Sequence, residues 1–364
     1  MPPTIASISC IPMRLPFHHW TNPPLFAGRP RDKLDSALIR VETSDGIVGW
    51  GESYCVEPTA LQAIFKTLIS PLVIGKPAEE ADLLQQVQRT LHNLGRSGPV
   101  LHALAGVDIA LWDIRAKAAG VPLYVLLGGK KRDKVRAYAS LLQYYADPAL
   151  VEKNVTRALE AGYSEVKLHE RTVTAVKAAR GAMGGGMPLM IDTNCAWIPA
   201  EAPAAFEQMA AYDPLWIEEP LWPPEDHDAL ASLRDSTDIG IAVGENASSA
   251  YELSKVIDDV AADYVQPSVI KLGLTAALAL SRKCEGTPVR CAPQVAFFGP
   301  GYLAALHLLA AQATEASLER LYVELRHVPY GETVPIVDGW VSVPDKPGLG
   351  ADPEQELADG AFSQ

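Results

Sequence analysis

The chain has 364 residues, of which 48% are hydrophobic and 21% are charged, a composition typical of a folded globular protein with a large core. Its formal net charge of −13 argues against nucleic acid as a partner, because phosphate groups are bound by basic residues. No apolar run is long enough to span a bilayer, so we expect no membrane association, and the length favours about two domains.

The cysteines and the first residues favour a cytoplasmic protein. Five cysteines are scattered along the chain and form no CxxC pair, so we expect free thiols, not disulfides or a zinc site. The segment 1–15 has no charged region followed by a continuous apolar stretch, so we expect no signal peptide.

The first third of the chain combines strands with helices. Two strand-like segments, 6–15 and 36–53, come first, and a turn sequence at Ser44, Asp45 and Gly46 favours a hairpin. Apolar residues at helical spacing then mark three helices, at 61–69, 84–94 and 104–114. A strand meander followed by helices predicts an α+β domain.

From about residue 130 a regular strand–helix rhythm begins. Eight short apolar runs, separated by Ala-rich helical segments, start at residues 135, 165, 189, 215, 241, 264, 289 and 321. Intervals of one βα unit repeated in this way are typical of a barrel. The glycines at 184–186 lack a following Lys-Ser/Thr pair and predict a loop, not a phosphate site. The Pro- and Gly-rich tail from about 330 is expected to pack on the N-terminal domain.

Three acidic residues at the ends of consecutive predicted strands predict a metal site. Asp192, Glu218 and Glu245 follow one another at intervals of 26 and 27 residues, so each ends one strand and all three point to one place. Three carboxylates this close need a cation, and hard oxygen ligands favour Mg²⁺. Glu218 is preferred over Glu219 because neighbouring strand residues face opposite ways. Asn194 either orients a ligand or makes a simple strand-end hydrogen bond.

Together these segments resemble the mandelate racemase/muconate-lactonizing branch of the enolase superfamily. The resemblance covers nearly the whole chain and is carried, in order, by VDIALWDIRAKAAGVPLYVLLGG (107–129), Lys167-Leu168-His169, Asp192, Glu218-Glu219-Pro220 and Gly244-Glu245-Asn246.

This resemblance implies an α/β fold, a (β/α)₇β TIM-like barrel with an α+β capping domain. We assign residues 1–128 to the cap, 129–328 to the barrel with the metal site, and 329–364 to a C-terminal segment packing on the cap. It also implies Mg²⁺, with Mn²⁺ as a substitute, and removal of the proton α to a carboxylate to give an enediolate.

Lys167 and His169 are the candidates for the base. Their spacing of two places both side chains on the barrel-lumen face. Many relatives carry Lys-x-Lys with the second lysine as base, and this chain has histidine there. An imidazole titrates near pH 6.5 and needs little tuning, so we favour His169, with Lys167 as the alternative.

The opposite side of the pocket lacks the usual second base. Against the family pattern, Ser268 stands where an Asp is expected on the sixth strand, and Gln294 where a His is expected on the seventh. Lys271 is the remaining ionisable group there, in a register that matches a lysine behind the substrate site. One base is enough for syn dehydration of a β-hydroxy acid, whereas racemisation or epimerisation needs two. We therefore favour a dehydratase of a sugar-acid-like substrate, with a racemase/epimerase as the alternative.

The resemblance also implies that the segment 17–33 folds over the barrel mouth as a lid. His18 or His19 could protonate a leaving group, and Arg29 or Arg31 could hold a distal carboxylate, or each could belong to an ordinary polar loop. Three aromatic residues beyond strand ends either line the pocket or pack between loops: Trp197, Trp222 and Phe298. Glu324, in the predicted eighth strand, is left unassigned.

Two other classes of protein are alternatives to an enolase-type enzyme. A non-catalytic relative could keep the metal and bind a carboxylate, although retention of Lys167, His169 and the three acids argues against it. A zinc hydrolase would need a His-rich site, and no strand-end histidine cluster is present. We expect a small-molecule carboxylate as substrate, no nucleic acid or membrane partner, and a homo-oligomer.

Overall fold

The N-terminal region is an antiparallel sheet covered by helices on one face. A computed structural model describes residues 2–26, 28–55, 57–330 and 334–353. The strands of the sheet are β1 (Ile5–His18), β4 (Lys33–Thr43), β5 (Val48–Tyr54) and β14 (Glu324–Leu325), in the order β14-β1-β4-β5. Strands β2 (Leu25–Phe26) and β3 (Arg29–Pro30) form a separate small hairpin in the predicted lid. The predicted hairpin at residues 44–46 joins β4 to β5.

Five α-helices and one π-helical turn follow. They are α1 (Pro58–Ile64), the π turn (Phe65–Ile69), α2 (Ser70–Val73), α3 (Leu83–Thr90), α4 (Gly98–Ala118) and α5 (Leu123–Leu126). The long helix α4 packs very closely against β5. The approach is close enough that a Cβ added to Gly51 would collide with the carbonyl oxygen of Gly106. This close contact brings the sheet, α4 and the barrel together around one buried carboxylate, Glu52.

Eight parallel strands with intervening helices form the barrel. They run as β6 (Lys134–Leu141), α6 (Pro148–Glu160), β7 (Val166–Leu168), α7 (Val173–Met183), β8 (Leu189–Asp192), α8 (Ala202–Ala210), β9 (Trp216–Glu218), α9 (His227–Asp235), β10 (Gly240–Val243), α10 (Ala250–Asp258), β11 (Tyr264–Val265), α11 (Val269–Leu272), α12 (Leu274–Cys284), β12 (Arg290–Cys291), α13 (Pro300–Ala311) and β13 (Leu318–Leu321). Strands β6 to β12 pair in sequence order, and β13 pairs with the other side of β6. The α/β fold class predicted from the sequence, a barrel with an α+β cap, is confirmed.

The eighth strand lies earlier than the sequence predicted. It spans Leu318–Leu321, whereas Glu324 lies in β14 and pairs with His18 in the capping sheet. Two apolar stretches follow each other here, and alternation alone does not decide which one closes the barrel. The predicted sixth strand was also too long: β11 ends at Val265, and Ser268 and Lys271 belong to the helical turn α11.

The C-terminal segment runs from the barrel back to α4. A short hairpin of β15 (Ile336–Val337) and β16 (Trp340–Ser342) pairs antiparallel with the start of β6. Beyond it, the Leu349 amide donates to the Asp113 carboxylate on α4 at 2.8 Å. Residues 354–364 of the predicted C-terminal segment lie outside the described residues. None of the described helices has the length and apolar character needed to cross a membrane.

Candidate active site

The three predicted metal ligands meet at the carboxyl ends of three neighbouring strands. Asp192 and Glu218 end β8 and β9 and pair in register, and Glu245 lies two residues beyond β10. One carboxylate oxygen from each lies within 4.8 Å of the other two. Asp192 and Glu218 are buried and Glu245 is partly exposed toward the cavity. Three converging carboxylates repel one another, so the arrangement fits a bound hard cation such as Mg²⁺.

A buried lysine links this acidic cluster to a fourth acid. The Lys167 Nζ lies 2.8 Å from Glu218 Oε1, 2.8 Å from Glu319 Oε1 and 3.5 Å from Asp192 Oδ2. Burial lowers the pKa of Lys167, but the neighbouring carboxylates of Glu218 and Glu319 outweigh it and hold that pKa well above its ordinary value. Burial acts to raise the pKa of Glu319, yet Lys167 more than offsets it, and the net shift is downward.

Sequence reasoning missed Glu319. It lies in β13, whose sequence is Leu318-Glu319-Arg320-Leu321, so two charged residues stand between two leucines. A strand of this composition has no apolar run to mark it, and the sequence pattern placed the eighth strand later, from residue 321.

His169 reaches the same cluster from the cavity side. Its Nδ1 is 2.6 Å from the carbonyl oxygen of Leu141, and its Nε2 is 3.2 Å from Asp192 Oδ2. A carbonyl oxygen only accepts, so Nδ1 carries a hydrogen and Nε2 is the nitrogen free to exchange a proton. Burial acts to lower the pKa of His169, but Asp192 outweighs it and the pKa is raised. The imidazole lines the cavity with 18% of its side chain exposed, whereas Lys167 is 1% exposed.

Neighbouring amides and an indole orient the acids. The backbone N and Nδ2 of Asn194 donate to Asp192 Oδ1 at 3.0 and 2.7 Å. Gln266 Nε2 and Trp216 Nε1 donate to Glu218 Oε2 at 2.8 and 3.1 Å. Such contacts fix the direction of a ligand's lone pairs. Gln266 was not singled out from the sequence, since a neutral residue just beyond a two-residue strand gives no distinctive pattern.

Glu219 points away from the cluster, in agreement with the choice of Glu218 as the ligand. Its Oε1 accepts from the backbone amides of Gly244 and Asn246 at 2.8 and 3.1 Å. Burial raises the pKa of Glu219 to about 7, and those two amides oppose the shift. The side chain therefore braces the loop that carries Glu245.

The residues predicted opposite the base are only partly brought into the cavity. Ser268 stands at the N-terminus of α11, is buried and does not line the cavity, whereas Gln294 and Lys271 do. The Lys271 Nζ donates to the carbonyl oxygen of Glu245 at 2.8 Å and lies 4.6 Å from the Tyr54 ring centroid. Lys271 thus holds the Glu245 loop from a helical turn, not from a strand.

The acids and His169 lie at the base of a cavity of about 960 Å³ between the barrel and the cap. Arg29 and Arg31 of the predicted lid line this cavity, as do Trp222 and Phe298. Neither lid histidine does: His19 is buried and stacks on Tyr144 at a centroid distance of 5.7 Å, and His18 packs against Trp20. Trp197 also lies outside it and packs against Phe206.

Comparisons with known proteins agree with this architecture. Residues 15–128 match the family described as mandelate racemase/muconate lactonizing enzyme, N-terminal domain, and residues 150–357 match the family described as enolase C-terminal domain-like. A D-galactarolactone cycloisomerase of Agrobacterium fabrum is 30% identical over 363 residues, covering 94% of this chain and 95% of that protein. A D-galactonate dehydratase of Pectobacterium atrosepticum is 32% identical over 348 residues, with coverages of 88% and 89%.

A solved structure is similar throughout. The crystal structure of L-talarate dehydratase from a Polaromonas species, in complex with Mg and L-glucarate, superimposes with a TM-score of 0.86. Its sequence is 28% identical, and the match covers 98% of this chain and 97% of that one.

Proposed function

The chain belongs to the mandelate racemase/muconate-lactonizing enzyme family of the enolase superfamily, and from that premise we propose an Mg²⁺-dependent dehydratase of a sugar-acid-like hydroxy acid. In this proposal the enzyme removes the proton α to the substrate carboxylate and forms an enediolate. The observation that carries it is the convergence of Asp192, Glu218 and Glu245 within 4.8 Å, with His169 Nε2 beside them at the base of the cavity.

Asp192, Glu218 and Glu245 are the proposed ligands of Mg²⁺, for which Mn²⁺ could substitute. Their oxygens are hard donors from three rigid strand ends, and Asn194 and Gln266 hold two of them in position. A bound divalent cation would stabilise the second negative charge that develops on the substrate carboxylate as the α-proton leaves.

His169 is the proposed base, and Lys167 the residue that positions the acids. Lys167 is 1% exposed and its ammonium group contacts Glu218 and Glu319 at 2.8 Å, with Asp192 at 3.5 Å, so it is directed at the acids and not at the cavity. The imidazole of His169 is open to the cavity, and its Nδ1–H is fixed by the Leu141 carbonyl. Nε2 is therefore oriented to accept a proton from a substrate carbon placed above the acids.

A single residue can complete a dehydration. His169 takes the α-proton through Nε2, and the resulting imidazolium returns a proton to the departing β-hydroxyl on the same face. The enol product then tautomerises to a 2-keto-3-deoxy acid. The relatives support this chemistry, since one acts on D-galactonate as a dehydratase and the Polaromonas structure holds Mg with L-glucarate. Their names also favour an enzyme over a non-catalytic carboxylate binder.

A racemase or epimerase is the second candidate, and the position of Lys271 favours it. His169 follows the second barrel strand and α11 follows the sixth, so the two residues lie across the barrel from each other. An ammonium group on that side could deliver a proton to the opposite face of the enediolate. The proposed dehydration does not need it.

The free state of all five cysteines is consistent with the proposed cytoplasmic location, because a reducing compartment preserves thiols. We also propose a homo-oligomer, on the basis of exposed large apolar side chains such as Tyr251.

Incubation with a panel of aldonic and aldaric acids, with Mg²⁺ or with EDTA, tests the reaction class. A dehydratase converts at least one acid to a 2-keto-3-deoxy acid, detected by proton NMR, only when Mg²⁺ is present. Inversion at C2 without loss of hydroxyl would support the racemase, and Lys271→Gln should then abolish inversion. Absence of both reactions across the panel would contradict the proposal.

A further inference from the structure

The arginine and lysine side chains that line the cavity are of two kinds, those paired with an acidic residue and those without such a partner among the described residues. Arg14 lies 3.3 Å from Asp35, and Lys271 donates to Glu245, so each has a partner within the protein. Arg31 lines the same cavity but makes no ion pair with any carboxylate of the described residues. Arg29, Lys33 and Arg171 also line the cavity without such an ion pair among the described residues, but all three are exposed, whereas Arg31 is half-buried.

Arg31 is held in place by the lid hairpin. Its backbone N donates to the carbonyl oxygen of Pro24 at 2.7 Å, and its Cζ lies 4.8 Å from the centroid of the Phe26 ring. The aromatic face supports one side of the guanidinium, and among the described residues no side chain or carbonyl accepts a hydrogen bond from its N–H edges. A planar group fixed in this way is suited to bind a carboxylate through two parallel hydrogen bonds.

Arg31 lines the same cavity as Glu245 and His169. Burial lowers the pKa of its guanidinium, and the carboxylate of Glu245 is the strongest influence in the opposite direction. A half-buried cation without a counter-ion is unfavourable, and an anionic ligand group would remove that cost. Glu245 does not supply the counter-ion, because it makes no ion pair with Arg31 and is already engaged with Lys271 and the proposed metal site.

We propose that Arg31 binds a second carboxylate, at the end of the substrate remote from the metal ligands, and that the enzyme therefore acts on sugar diacids in preference to sugar monoacids. This inference rests on the proposed function, in which the first substrate carboxylate faces Asp192, Glu218 and Glu245. Trp222 and Phe298 line the same cavity and offer apolar surface to the carbon chain of such a substrate.

Binding of two ligands that cannot react, adipate and hexanoate, measures the contribution of Arg31 to affinity independently of catalysis. Adipate has a carboxylate at each end of a six-carbon chain, and hexanoate has only one. Binding of each to the Mg²⁺-loaded protein is measured by calorimetric titration for wild type, Arg31→Gln and Arg89→Gln. Arg89 is exposed on α3, is not among the residues that line the cavity, and its replacement gives the same change in net charge.

The inference predicts that wild type binds adipate more tightly than hexanoate. Arg31→Gln should weaken adipate binding by about ten- to hundredfold, the usual effect of losing a charged hydrogen bond, and leave hexanoate unchanged. Arg89→Gln should change neither. Equal binding of the two ligands by wild type, or an Arg31→Gln effect that is absent or equal for both, would overturn it.

Solvent exchange at C2 distinguishes the two proposals. If an aldonic acid exchanges its α-proton while adipate binding is independent of Arg31, the distal site is wrong and the proposed function stands. If adipate binding depends on Arg31 but no sugar acid exchanges, the proposed function is wrong and the carboxylate site stands.

Discussion

Lys167 and Glu319 form a buried ion pair, with 2.8 Å between Nζ and Oε1, that joins the second barrel strand to the eighth. The same ammonium group contacts Glu218 and lies near Asp192, so one cation partly neutralises three acids. In this account the pair holds the floor of the active site in place, and a divalent cation completes the charge balance.

Lys167→Met should destabilise the metal-free protein. Removing the cation leaves buried carboxylates unpaired, which typically costs about 3–5 kcal/mol of unfolding free energy. Added Mg²⁺ should stabilise the variant more than wild type, because the ion relieves the remaining repulsion. Urea unfolding with EDTA and with Mg²⁺ checks both effects. Lys177→Met, on the exposed face of α7, is the control and should stay within about 0.5 kcal/mol; a similar loss there would contradict the assignment.

Glu245→Gln should remove most of the stabilisation by Mg²⁺. A ligand present at about 100 times its dissociation constant stabilises the native state by about 2.7 kcal/mol. We expect that gain in wild type and much less in the variant, because one of three converging carboxylates is lost. Thermal unfolding over a Mg²⁺ series measures it. Glu207→Gln, exposed on α8, should respond like wild type; an undiminished response of Glu245→Gln would remove Glu245 from the ligand set.

Glu52 should make stability depend on pH. Burial raises the pKa of Glu52 from 4.5 to about 7, while hydrogen bonds from Ser36 and Gly301 oppose the shift. The folded state therefore favours the protonated acid, and its stabilising contribution is present below pH 4.5 and lost as the pH rises to 7. The expected loss is about 3 kcal/mol.

Urea unfolding at pH 5 and pH 8 checks this contribution. Glu52→Gln should lose less stability than wild type over that interval, because the amide does not ionise. Glu285→Gln replaces an exposed carboxylate and should follow the wild-type change. Matching pH profiles for wild type and Glu52→Gln would rule out the role of Glu52.

Gly51→Ala should disrupt the contact between the sheet and α4. The added Cβ would collide with the backbone carbonyl of Gly106, which a side-chain rotation does not relieve. We expect a loss of about 1–3 kcal/mol or more in unfolding free energy, as for other overpacked sites. Gly181→Ala is the control, because its Cβ would meet open space within α7, and it should stabilise by up to about 1 kcal/mol. Equal effects would contradict the packing argument.

The regular repeat of βα units along the sequence predicted the barrel. It also predicted the three acids, because each unit places the end of one strand at the same edge of the barrel. Asp192, Glu218 and Glu245 lie where that repeat placed them. The repeat did not identify Glu319, because the last barrel strand is followed at once by another apolar stretch that pairs with the capping sheet.

Side-chain direction in irregular segments could not be predicted either. Lys271 enters the cavity from a helical turn where a strand was expected, and His19 turns away to stack on Tyr144. The free edge of Arg31 depends on the path of the lid hairpin, which the sequence pattern does not specify. These positions follow from tertiary packing, so only the structure distinguishes them.

The most direct test of the central claim is proton NMR in D₂O with Mg²⁺, comparing wild type, His169→Asn and His92→Asn on the same sugar acids. The account predicts that wild type and His92→Asn, an exposed control, remove the C2 proton of at least one acid and that His169→Asn does so at least about a hundredfold more slowly. Exchange at the wild-type rate in His169→Asn would contradict the assignment of His169 as the base.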